Sequence, residues 1–207
     1  MSFEDIKLAV ANLQDPTKAE IRVRTNPYMQ KLLYDLIVTN CFQHVLEIGT
    51  YKGYTTAYLA AACQETGGHV TTINIDGGEL EVARRALKAL DLEATCLQGD
   101  SVDVLKTLVL SKRYDFVLID GLHRYTQVIQ EHNLLEPVMI QPGIMIFDDC
   151  GDDAGDVASV EGADGGVIKA AREANAILCC PMAYKIYGDP IMPPSDAWPD
   201  QHETEEP

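Results

Sequence analysis

Four side chains near the ends of two apolar runs could do chemistry together. "DFVLIDGLHRY" (115–125) ends an apolar run on Asp120 and places His123 three residues later, and "PGIMIFDDC" (142–150) ends another on Asp148 and Asp149. A carboxylate that closes a hydrophobic strand is costly if it is buried alone, so each acid needs a partner. Were the two runs adjacent strands of one sheet, three carboxylates would meet. Such a trio needs either raised pKa values or a cation. An all-oxygen donor set without cysteine suits a hard ion, Mg²⁺ or Ca²⁺. His123 titrates near neutrality in its ordinary state, so it could serve as a base or could orient a substrate or an acid.

Further candidates follow other apolar runs. "EIGTYKGYTT" (47–56) carries Glu47, Gly49, Tyr51 and Thr55, with glycines that let backbone approach a ligand. Residues 51 and 54, where a dinucleotide fingerprint needs glycine, are tyrosines, and GK[ST] is absent. "NIDGG" offers Asn74 and Asp76, and "QGDS" offers Asp100 and Ser101. For Asp76 and Asp100, capping the next helix competes with contacting a ligand.

These positions need elements to hold them. The apolar runs 44–48, 70–75, 94–98, 115–119 and 144–147 alternate with helical stretches, one of which aligns Leu80, Ala83, Leu87 and Leu90 on a single stripe. Continuous apolar strands separated by helices predict a doubly wound α/β fold with a mostly parallel sheet. Ligands of such sheets bind beyond the carboxyl ends of the strands, where all the candidates lie. The first 40 residues read as a helical cap: Ser2 and Asp5 sit close to a capping box, and Asn26–Pro27 opens a second helix. One domain is expected over 1–188, with a core from 41, followed by an acidic, proline-rich tail over 189–207.

Composition excludes several classes. The net charge of -16 argues against a nucleic-acid partner, which calls for a basic stripe. No apolar run is long enough for a membrane span. Six cysteines without a CxxC pair read as reduced thiols, and the acidic start lacks a basic leader, so a cytoplasmic protein is expected.

In this order, "VLEIGTYKGYTTAYLA", "LQGDS", "DFVLIDGLHRY" and "PGIMIFDDC" resemble the class I S-adenosylmethionine-dependent methyltransferases. Within them the chain looks like the metal-dependent O-methyltransferases of the catechol O-methyltransferase type, in the branch with bacterial tailoring enzymes. The resemblance covers about residues 27–175. It implies that Glu47, Gly49, Tyr51 and Thr55 hold the methionine part of S-adenosylmethionine and that Asp100 and Ser101 lie beside its adenine. It also implies a metal, Mg²⁺ foremost, on Asp120, Asp148 and Asp149, with His123 standing where relatives have a catalytic lysine. Asn74 stands where relatives carry an acid for the ribose, which leaves Asp76 to move in. The expected reaction is methyl transfer to a hydroxyl of a small chelating acceptor, in an enzyme whose relatives are often dimers. The acidic segment 148–166 reads as a flap over the acceptor pocket. Two alternatives stay open: methylation of a hydroxyuridine in transfer RNA, using a basic patch of Lys7, Lys18, Arg22, Arg24 and Lys31, and a non-catalytic cofactor-binding protein whose site has decayed.

Overall fold

The structure is a computed structural model that describes residues 1–13, 27–150, 166–179 and 182–193. Two helices lead: α1 (Phe3–Leu13) and α2 (Pro27–Asn40). Strands and helices then alternate: β1 (His44–Ile48), α3 (Tyr54–Thr66), β2 (His69–Asn74), α4 (Gly77–Ala89), β3 (Ala94–Gln98), α5 (Ser101–Leu108), β4 (Tyr114–Ile119), α6 (Tyr125–Leu135) and β5 (Met139–Phe147). A single 3₁₀ turn (Glu136–Val138) joins α6 to β5, and α7 (Gly166–Glu173), β6 (Ile177–Cys179) and β7 (Met182–Tyr187) complete the described chain.

The seven strands form one sheet in the order β3-β2-β1-β4-β5-β7-β6. The first five pair in parallel, and β7 runs antiparallel to both β5 and β6. All six residues of β4 are buried, as a central strand covered on both faces requires. Alternation along it divides the core. Phe116 and Leu118 join α1, α2 and α3 on one face, and Val117 and Ile119 join α5, α6 and α7 on the other.

Local chemistry explains several boundaries. Ser2 and Asp5 form the expected capping box, with the Asp5 amide donating to Ser2 Oγ at 3.3 Å and the Ser2 amide to Asp5 Oδ2 at 3.2 Å. Helix α3 is buried without a break from Thr55 to Cys63, because α1 and α2 cover the side turned away from the sheet. Strand β5 begins earlier than its apolar run suggests, since Met139 pairs with Tyr114 ahead of a register shift. Strand β2 ends one residue early, so Ile75 leaves the sheet and is 71% exposed.

Among the described residues no helix is long and apolar enough to cross a membrane. The Asn26 cap, most of the basic patch, most of the flap segment and most of the acidic tail fall outside the described residues.

Candidate active site

Backbone hydrogen bonds set the strand ends side by side. Gly99 N donates to Asn74 O (3.0 Å), Gly49 N to Ile73 O (2.9 Å), Asp120 N to Ile48 O (2.9 Å) and Asp148 N to Ile119 O (3.0 Å). The residues that follow β3, β1, β4 and β5 are thereby tied to the neighbouring strand, and the loops after β3, β2, β1, β4 and β5 form one continuous rim. Gly49 is required there. Its φ is +104°, and a Cβ would lie 1.9 Å from the Asp120 carbonyl oxygen.

The rim encloses a cavity of about 550 Å³, within the range of small-molecule sites. Of the residues singled out from sequence, Gly49, Tyr51, Thr55, Asn74, Asp100, Ser101, Asp120, His123, Asp148 and Asp149 all line it. Glu47 and Asp76 do not line it. Position 47 faces α3, so the Glu47 side chain lies fully buried beneath the cavity floor, where Thr56 and Thr72 each donate to its Oε2 at 2.5 Å. Burial pushes its pKa up to about 7 against those two hydrogen bonds. Asp76 caps α4, its Oδ1 accepting from Gly78 N (2.7 Å) and Glu79 N (2.9 Å).

Asn74 reaches the cavity wall, but its polar atoms serve the loop. Its Oδ1 accepts from Tyr51 N (3.1 Å), and its Nδ2 donates to Asp76 O and Glu79 Oε2 (both 3.1 Å). The Gly49 and Thr50 amides likewise turn to Ile73 O. With its amides facing β2, this first loop is no phosphate cradle. Helix α3 begins on Gly53, which has no side chain to cap it, so its first-turn N–H groups are left for a ligand.

At the other end Asp120 and Asp149 both approach His123, with Asp148 beside them. His123 Nδ1 lies 2.8 Å from Asp149 Oδ2, and His123 Nε2 lies 3.5 Å from Asp120 Oδ1. The second separation is an ion-pair distance too long for a hydrogen bond, which leaves buried Nε2 without a hydrogen-bond partner. Burial alone would lower the pKa of His123, but Asp120 and Asp149 outweigh it and lift it to about 10. The two carboxylates thus hold the imidazole toward its protonated form. The acids respond unequally. Burial raises Asp120 despite His123, the hydrogen bond from His123 lowers Asp149, and burial with Asp120 and Asp149 nearby raises Asp148 well above the usual range.

This donor set fits a hard divalent ion in its chemistry. The oxygens come from carboxylates, and among the described residues the half-buried Asp148 side chain accepts a hydrogen bond from the Asp149 amide at 2.9 Å and forms no salt bridge. Among the described residues, however, no three His, Cys, Asp or Glu side chains are gathered as a ready ligand set. The His123 imidazole stands between Asp120 and Asp149 instead.

Sequence reasoning missed Thr50, Tyr54, Ile75, Leu122 and Gln127 on the cavity wall and Glu131 behind it. Gln127 and Glu131 share one face of α6 at i, i+4 spacing, a signal that marks them as neighbours but not as wall residues.

A family model described as "Methyltransferase domain" matches residues 46–150, the stretch that carries the whole rim. O-methyltransferase hkm8 of Aspergillus hancockii is 23% identical over 137 residues, which are 63% of this chain and 52% of that protein. The chain thus spans about half the length of this relative. Among solved structures, the O-methyltransferase from Bacillus cereus in complex with SAH is similar with a TM-score of 0.64 and 18% identity, over 89% of this chain and 90% of that one. TomG from Streptomyces achromogenes, an O-methyltransferase of tomaymycin synthesis in complex with SAM, gives 0.65 and 18%, over 90% of this chain and 89% of that one. The strand order and these neighbours give the class I methyltransferase fold, and with the domain match over the rim the chain belongs to the methyltransferase-domain family.

Proposed function

We propose that the protein moves a methyl group from S-adenosylmethionine to a hydroxyl oxygen of a small acceptor with two neighbouring oxygens, assisted by a divalent ion. One observation carries this reading. A single cavity joins the glycine loop after β1 and the polar loop after β3 to the cluster of Asp120, His123, Asp148 and Asp149. Asp120, Asp148 and Asp149 would hold the ion, which when bound supplies Lewis acidity that lowers the pKa of the acceptor hydroxyl.

The chain's own residues do the rest. The first turn of α3 and the loop from Gly49 to Thr55 would hold the cofactor's amino-acid end. The acceptor hydroxyl would give its proton to bulk water and its oxygen would take the methyl group, the electron pair of the broken C–S bond staying on sulfur as a thioether. Such a displacement depends mainly on alignment, which the rim supplies. His123 acts as a cation whose Nε2–H meets the acceptor oxygen and stabilises its negative charge.

Activity would be measured by mass spectrometry with S-adenosylmethionine and a panel of catechol-like and hydroxy-carbonyl acceptors, before and after chelation. The reading expects methylated product that falls after chelation and returns with Mg²⁺. Product unchanged by chelation removes the ion from the reading, and no product from any acceptor in the panel speaks against the acceptor class.

A further inference from the structure

The ring of His123 stands between two of the three acids assigned to the ion. Its Nδ1 lies 2.8 Å from Asp149 Oδ2, and its Nε2 lies 3.5 Å from Asp120 Oδ1. Nε2 is buried and makes no hydrogen bond, so the contact with Asp149 is what holds the ring in place. Mg²⁺ takes its oxygens at about 2.0–2.1 Å in near-octahedral geometry. Asp120 and Asp149 face different nitrogens of one ring, so both can close on a single ion only if the ring leaves. Among the described residues, no three His, Cys, Asp or Glu side chains stand together as a ligand set with the ring where it is.

The backbone around the ring has little room to shift. Asp120 N donates to Ile48 O, and the Asp120 carbonyl lies against Gly49, where a Cβ would come within 1.9 Å of it. Arg124 N donates to Leu122 O at 2.7 Å, and on the facing strand end Asp148 N is tied to Ile119 O. The part of the cluster that can move is the His123 side chain, by rotation about its own bonds. Charge gives the ring its reason to be there. Carboxylates brought together repel one another unless a cation or a hydrogen-bond donor stands among them. The imidazole supplies a donor to Asp149 and keeps it apart from Asp120, and a bound ion makes that service unnecessary.

We infer that His123 is an internal competitor of the divalent ion: ring and ion hold the same pair of carboxylates in turn, and the ion binds by displacing the ring. No change of protonation is needed, because an Nδ1–H can donate to Asp149 from neutral imidazole as well as from imidazolium. The inference rests on the reading of Asp120, Asp148 and Asp149 as the residues that hold the ion. Its consequence is a weaker hold on the ion than the three acids alone would give, because one charge-assisted hydrogen bond must break first.

The test uses the full chain, freed of metal by chelation and dialysis, at constant pH. Mg²⁺ alone is titrated by calorimetry into wild type and His123→Ala, and the His123 Nδ1–H signal of wild type is followed by NMR over the same titration. The variant is expected to bind Mg²⁺ at least about fivefold more tightly, the scale of one hydrogen bond to a charged group. The Nδ1–H signal, sheltered while Asp149 holds it, should be lost in proportion to bound Mg²⁺. A gain in affinity with that signal unmoved would mean simple repulsion between ring and ion, and it overturns displacement. A gain smaller than about fivefold also overturns the inference, while leaving the ion itself in the reading. Uptake of Mg²⁺ by neither protein overturns both. Should His123→Ala fail to fold, the wild-type signal decides: its loss supports displacement, and its persistence at saturating Mg²⁺ overturns it.

Discussion

The two ends of the cavity handle buried carboxylates in opposite ways. At the end near Ser101, Glu131 is surrounded by neutral donors, and burial against the hydrogen bonds from Ser101 and Gln127 leaves its pKa at about 7. At the end near His123, three acids crowd one imidazole. Burial and mutual repulsion raise Asp120 and Asp148 while the hydrogen bond from His123 lowers Asp149. Neutral hydrogen bonds give direction and can read a ligand's donors and acceptors. Uncompensated charge attracts a cation and holds a reactive oxygen, but it discriminates poorly among shapes. A fold that must both recognise a cofactor and carry out chemistry on a second molecule gains from keeping the two kinds of environment at separate strand ends.

The largest effect should come from the charged end. Asp120→Ala and Asp148→Ala are each expected to lower kcat/KM at least about a hundredfold, or about 2.7 kcal/mol, while the Kd for S-adenosylhomocysteine changes by less than about threefold. If cofactor binding falls as far as turnover does, the separation of the two ends is wrong. His123→Gln sharpens the contrast with a loss of about ten- to a hundredfold in kcat and little change in cofactor Kd. In the chelated protein the His123 imidazole, followed by NMR of its ring, should lose its proton only as pH rises through about 10, and loss of that proton near its ordinary value would remove the influence of Asp120 and Asp149.

The smallest effect concerns stability. Glu47 titrates at about 7 in the fold, against 4.5 ordinarily. The folded chain therefore holds a proton that the unfolded chain releases between those values. The resulting stability is complete below the lower value and lost as pH rises through the upper one. In urea melts, Glu47→Gln should gain on wild type by up to about 3 kcal/mol across that window. A constant difference between the two proteins would mean that Glu47 is ionised throughout.

The contrast also explains what the sequence could reveal. Strands such as 115–119 announce themselves because a strand covered on both faces must be apolar throughout, and the acids that close β4 and β5 follow from strand adjacency. Glu47 belongs to the glycine-loop motif and faces the helix layer. Its true partners, Thr56 on α3 and Thr72 opposite it on β2, become visible only once the register is known. The Ser101–Gln127–Glu131 network depends on how α6 packs beside the start of α5, and nothing local in either segment encodes that. For His123 the spacing placed the residue, but its charge depends on two distances, to Asp120 and Asp149, that no spacing supplies.

The most direct test of the central claim is calorimetric titration of the full chain with S-adenosylhomocysteine, repeated with Gly49→Ala, whose new Cβ would collide with the Asp120 carbonyl. The account predicts one site per chain with a Kd on the order of micromolar in wild type, weakened at least about tenfold in the variant. An absence of binding heat in wild type, or unchanged affinity in a folded Gly49→Ala, would contradict it.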